Sequence, residues 1–208
     1  MESEDYLNIT TRIKTMESLR EKIIRNGYYK HYNNPKDLIA DLSDLVGVRI
    51  ECRFVEDEGK LYRLLKNHFS IKDENGFFHT PENDKILLKM SLKQPQSQRN
   101  GFPIYRIDGM YRTGSRAIRF ELQIKAMVNM FWGEIEHKII YKNNAYMLAD
   151  GFLKDIMLTI KNILTVLDNQ LLLIYKQFYQ RNKRRNKPDF SQISVMISKM
   201  IYEAFADK

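Results

Sequence analysis

Two segments alternate between apolar and polar side chains, and that period of two narrows what they can fold into. In Val46-Gly-Val-Arg-Ile-Glu-Cys-Arg53, the residues Val48, Ile50 and Cys52 fall on one side and Arg49, Glu51 and Arg53 on the other. In Ala117-Ile-Arg-Phe-Glu-Leu-Gln-Ile124, the residues Ile118, Phe120, Leu122 and Ile124 share one side and Arg119, Glu121 and Gln123 the other. Successive side chains of a strand point to opposite faces, so each segment reads as a strand with one buried and one wet face. If the two pair with their apolar sides down, the six polar residues form one surface of mixed sign. Asp44 stands just before the first strand. A carboxylate at a strand edge and another mid-strand suit Mg²⁺, which takes hard oxygen ligands and shares them with substrate phosphates. A sheet whose outer face is simply wet would show the same pattern.

Over residues 5–25, Ile13, Met16, Leu19 and Ile23 recur at helical spacing before an Asn26-Gly27 stop, which predicts one amphipathic helix. On it Lys14, Ser18, Lys22 and Arg25 share a face, three cations and a hydroxyl suited to a run of phosphates. A solvated face, broken by Glu17 and Glu21, reads the same way. Further helices are expected over 35–43, 56–69, 126–142, 150–183 and 192–206, a polar loop over 72–84, a strand over 85–92 and a turn at Asn100-Gly101. Strands separated by helices predict an α/β (α+β) domain with a mixed sheet over 1–148. The helix from residue 150 carries more than one apolar stripe, so 149–208 reads as a helical extension for oligomerisation.

Hydrophobic residues at 43% and charged residues at 29% exclude a disordered or low-complexity chain. The acidic start, Met1 to Asp5, lacks a signal peptide's basic and apolar regions, and Lys154, Asp155, Lys161 and Asp168 interrupt the greasiest stretch, so no bilayer span and a cytoplasmic protein are expected. One cysteine and four scattered histidines argue against a disulfide or a Cys-rich zinc site. Of the net charge of +8, five positive charges (Arg181, Lys183, Arg184, Arg185 and Lys187) crowd into 181–187. That cluster either contacts RNA or complements the carbonyl end of a long helix.

Arg12-Ile-Lys14, Ser18, Lys22 and Arg25, then Asp41-Leu-Ser-Asp44-Leu-Val-Gly47-Val-Arg49, Glu121-Leu-Gln123-Ile-Lys125, Phe131-Trp132 through Glu136-His137, and Tyr141-Lys142 together resemble the RelA/SpoT synthetase domain. The likeness spans roughly residues 8–180 and leans towards the stand-alone small alarmone synthetases. It implies a nucleotidyltransferase-like mixed sheet flanked by helices, with C-terminal helices, and transfer of pyrophosphate from ATP to the 3′-hydroxyl of GTP or GDP in the stringent response. By resemblance, Lys14, Ser18, Lys22 and Arg25 hold the ATP phosphates, Arg12 and Arg49 sandwich adenine, and Asp44 and Glu121 carry Mg²⁺ and the catalytic chemistry. Phe102, Gln123, Lys125 and His137 then border the acceptor. A closed homo-oligomer, favoured as a tetramer, is implied too.

The acceptor side departs from the family pattern. Where the family usually has Pro-Lys and then Asn-Gly-Tyr-x-Ser-x-His, this chain reads Pro95-Gln96 and then Asn100-Gly-Phe102-Pro-Ile104-Tyr-Arg106. Met130 stands where an Asn or Asp often reads the guanine edge, and Lys125 replaces an arginine. Asn129 compensates for Met130 only if the helix register shifts. Two alternatives therefore stay open beside the synthetase: a toxin-like relative that pyrophosphorylates tRNA 3′ ends, and a catalytically impaired nucleotide-binding regulator.

Overall fold

Residues 8–13 do not extend the first helix; they form a strand. The computed structural model describes residues 6–97, 103–114, 116–136, 138, 151–179, 195 and 199. In it β1 (Asn8–Ile13) runs antiparallel to β2 (Val46–Cys52), Ile9 opposite Ile50 and Ile13 opposite Val46. The β-branched run Ile9-Thr-Thr and Ile13 favours pleated backbone and overrides the helical spacing. Helix α1 (Met16–Arg25) begins only after Thr15, whose hydroxyl caps it by accepting the Ser18 N–H at 3.3 Å.

Helices α2 (Pro35–Asp41) and α3 (Val55–His68) form close to the expected bounds. The expected loop over 72–84 is a correction: β3 (Ile71–Lys72), β4 (Phe78–Thr80) and β5 (Asn83–Leu88) build an antiparallel ribbon there. Its first turn closes on Asp73, whose Oδ1 accepts the N–H groups of Asn75 and Phe77, both at 2.9 Å, with Gly76 at φ +80°. After β6 (Gln96–Ser97) come β7 (Pro103–Thr113), β8 (Arg116–Ala126), α4 (Met127–Glu136) and α5 (Gly151–Tyr179). The rest of the helix expected over 126–142 lies outside the described residues apart from Lys138, and of 192–206 only residues 195 and 199 lie within them.

The strands line up as β1-β2-β8-β7-β5-β4-β3, with β6 paired to β7. Among the described residues β2 and β8 are the parallel pair and every other pairing is antiparallel. The pairing of the two alternating strands, apolar sides together, is as expected. Val48, Ile50, Leu122 and Ile124 are buried beneath Leu61 and Leu65 of α3. Cys52 lies in the same core; burial, then the neighbouring Glu58, pushes its thiol far up. Iodoacetamide should therefore leave the native thiol unmodified and label it once denaturant is added, which mass spectrometry reads directly.

β7 escaped the pattern because its core side carries Gly109 where a large apolar residue is expected. The neighbouring Phe120 ring fills that space: a Cβ on Gly109 would lie 2.3 Å from it. Since Phe120 is fully buried, Gly109→Ala should destabilise by about 1–3 kcal/mol in urea melts.

By length and composition alone, helix α5 would suffice to cross a bilayer. It nevertheless docks by its charges. Lys161 and Asp168 are 6% and 5% exposed, while Ile163 and Leu173 stand 60% and 65% exposed. Asp168 Oδ2 accepts the Val55 N–H at the start of α3 at 3.0 Å, and Lys176 pairs with Glu56. Lys161 donates to Asn129 on α4.

Candidate active site

Register decides what the wet face holds. Parallel pairing sets Gly47 against Glu121, Arg49 against Gln123 and Glu51 against Lys125. β1 adds Arg12 opposite Gly47 and Thr10 opposite Arg49; β7 adds Asp108 opposite Glu121 and Arg106 opposite Gln123. Two rows therefore cross four strands: Arg12, Gly47, Glu121, Asp108, and Thr10, Arg49, Gln123, Arg106. A Cβ on Gly47 would sit 3.2 Å from both Cγ and Nε of Arg12, so the missing side chain makes room for that arginine. Arg49 Nε is buried without a hydrogen-bond partner.

At the entrance to β2, Asp44 is held by two lysines that reach it from different directions. Lys14, just past β1, donates to Oδ2 at 2.7 Å, and Lys22 on α1 lies 2.7 Å from Oδ1. The second contact is a close ion pair between the Lys22 ammonium group and the other carboxylate oxygen. Burial alone would raise the Asp44 pKa, but the two ammonium groups outweigh it and hold the carboxyl below its usual range. The single-face helix expected for Lys14, Ser18, Lys22 and Arg25 is corrected. Lys14 precedes the helix, Ser18 is exposed in the first turn of α1 and Arg25 is exposed in its last, so strand and helix together bring Lys14 and Lys22 to one carboxylate.

Glu121 is oriented from two sides. Gln123 Nε2 donates to its Oε1 at 2.6 Å, and Arg106 Nε lies 3.9 Å from Oε2. Arg106, which the sequence marked only as a departure, is placed through its backbone: Gln94 donates to its carbonyl at 2.6 Å and accepts its N–H at 3.1 Å, and Gln96 donates to the same carbonyl at 2.9 Å. The two glutamines are side-chain substitutes for a neighbouring strand.

Lys125 closes this face where β8 meets α4. Burial, and then the charges of Arg49 and Arg12, lower its pKa. It lines a cavity of about 40 Å³ with Asn129, Trp132, Gly133, Glu136 and Lys161. Asn129 is committed elsewhere: it donates to buried Glu58 at 2.7 Å and accepts from Lys161. Glu58 Oε1 also accepts the Ala126 N–H at 2.6 Å. Phe102 and His137 lie outside the described residues.

Among the described residues a mixed sheet with one parallel pair, flanked by helices and with two lysines gathered about a carboxylate at the start of β2, makes this an α+β domain. The chain belongs to the RelA/SpoT family: residues 11–146 match the region found in RelA / SpoT proteins. It is 28% identical over 137 residues to GTP pyrophosphokinase YwaC of Bacillus subtilis (strain 168), covering 64% of this chain and 58% of that protein. To GTP pyrophosphokinase YjbM of the same organism it is 24% identical over 140 residues, covering 64% and 56%. The matches thus span a little over half of those relatives' lengths. The small alarmone synthetase 1 from Bacillus subtilis, solved bound to its product pppGpp, shares the fold at a TM-score of 0.61 and 20% identity, over 84% of this chain and 81% of that one.

Proposed function

We propose that this chain is a small alarmone synthetase that transfers pyrophosphate from ATP to the 3′-hydroxyl of GTP or GDP in the stringent response. One observation carries the reading: within a RelA/SpoT domain, Lys14 and Lys22 each lie 2.7 Å from the Asp44 carboxylate just before β2, the strand whose Gly47 stands opposite Glu121. Lys14, Lys22, Ser18 and Arg25 bind the triphosphate, and Arg12 and Arg49, on adjacent strands, flank the adenine. Glu121 takes the proton of the acceptor hydroxyl at Oε2, the oxygen that Gln123 leaves open. The hydroxyl oxygen bonds to the β-phosphorus, the bond to the α-phosphate breaks, and AMP leaves with its electron pair.

The residues fit a divalent ion. Asp44 offers hard oxygens held ionised by Lys14 and Lys22, and Glu121 supplies a second carboxylate. Mg²⁺ bound there would offset the charge of the triphosphate. Gln123, Lys125 and Arg106 face the acceptor, with Phe102 and His137 carried over by resemblance.

The outward apolar side of α5 supports a homo-oligomer built on the extension over 149–208. The deciding experiment supplies ATP labelled on its β-phosphate, Mg²⁺ and either GDP, GTP or tRNA. Label entering GDP or GTP with release of AMP is expected; label entering only tRNA, or no transfer, overturns the reading.

A further inference from the structure

Helix α3 buries a carboxylate among its apolar side chains. Glu58 is 3% exposed and lies on the face that carries Leu61, Tyr62 and Leu65. A leucine would fill that place without the cost of burying a charge. What the carboxylate does there is hold a corner. Its Oε1 accepts the Ala126 N–H at 2.6 Å, where β8 ends, and accepts from Asn129 Nδ2 at 2.7 Å, in the first turn of α4. Lys125 precedes Ala126 in the chain, and its Nζ lies over α4, 3.9 Å from where a Cβ on Gly133 would sit. Glu58, Lys125, Asn129 and Gly133 line the same cavity. Charge acts in the same direction: burial, Arg49 and Arg12 disfavour the Lys125 ammonium, while Glu58 and then Glu121 favour it. We infer that Glu58 is a positioning residue of the acceptor site, which acts through Lys125 by fixing the corner between β8 and α4, so that this ammonium is presented to the anionic groups of the acceptor nucleotide. This rests on the acceptor reading above and adds to it a residue from α3, on the core side of the sheet.

Two measurements test it. In the first, Lys125 is acetylated with acetic anhydride and its peptide is read by mass spectrometry against exposed Lys85. Glu58→Gln keeps an oxygen for the two hydrogen bonds but removes the charge, so Lys125 should react at least about 3-fold faster than in wild type while Lys85 is unchanged. In the second, steady-state kinetics of Glu58→Gln should show the KM for GDP raised by about 3- to 100-fold and the KM for ATP unchanged. Loss of folded protein alone would lower kcat and leave both KM values as they were. In a Lys125→Met background, Glu58→Gln should add nothing to the KM for GDP. Circular dichroism confirms that each variant is folded, and Glu58→Asp, which draws the carboxylate back by one methylene, provides the same test should Glu58→Gln fail to fold. An unchanged Lys125 labelling rate, a fall in kcat with both KM values unchanged, a KM shift shared equally by ATP and GDP, or an effect that persists in full beside Lys125→Met overturns the role of Glu58. If labelling responds as expected but wild type transfers no pyrophosphate to GDP or GTP, Glu58 still places Lys125 and the proposed reaction falls.

Discussion

Glu121→Gln should cut pyrophosphate transfer by about 10²- to 10⁴-fold, the contribution typical of a positioned general base, while leaving the fold intact. The substitution keeps the size of the side chain and its place on β8, and an amide oxygen can still accept from Gln123 at Oε1. What is lost is basicity at the oxygen 3.9 Å from Arg106. Because the proposed triphosphate contacts are Lys14, Ser18, Lys22 and Arg25 rather than Glu121, the defect should appear in kcat more than in the KM for ATP. Wild-type turnover with a normal pH profile would remove Glu121 from the chemistry.

Lys161→Ala should cost about 3–5 kcal/mol of stability, the range for breaking a buried charged network from one side. Lys161 is 6% exposed and holds Asn129, which in turn donates to Glu58, 3% exposed. Without the ammonium, Glu58 keeps the Ala126 N–H, the Asn129 amide and the charge of Lys125 in a site where burial already pushes its pKa up. The sign follows. A carboxyl whose folded pKa is raised destabilises once ionised, so the deficit should shrink as pH falls towards that raised value, because the protonated acid needs no cation. Urea melts at pH 7 and pH 5 check this, and the same substitution in a Glu58→Gln background should cost less.

Part of this was legible in the chain. The period-two runs over 46–53 and 117–124 specified both strands and their shared polar face, because alternation survives wherever one side of a strand is buried. β1 was not legible, since Ile13 fits a helical stripe as well as a strand and only the threonines before it tip the balance. β7 was hidden by Gly109, a core position filled by the ring of Phe120 on the next strand. The residues proposed for the donor side could be named from the chain, yet the convergence of Lys14 and Lys22 on Asp44 depends on a strand-to-helix turn that no single period encodes. Arg106 read as a lost histidine; its approach to Glu121 comes from the β7–β8 register, which is a tertiary fact. Asn129 could stand in for Met130 only through a register shift, and in the fold Glu58 and Lys161, distant in sequence, claim it.

The inward charges of α5 bear on how such a chain is made. Glu58, the Val55 N–H and Asn129, which receive that helix, all precede it in sequence, so during synthesis from the N-terminus their strands and helices emerge first. Lys161 and Asp168 then find fixed addresses, and rotating the helix by half a turn would strand both charges in solvent while leaving Glu58 without its cation. The helix is set in azimuth by these polar contacts together with its buried Met157 and Leu172. The apolar stripe it turns outward, with Ile163 and Leu173 on it, is thereby held in a fixed direction relative to α3 and α4.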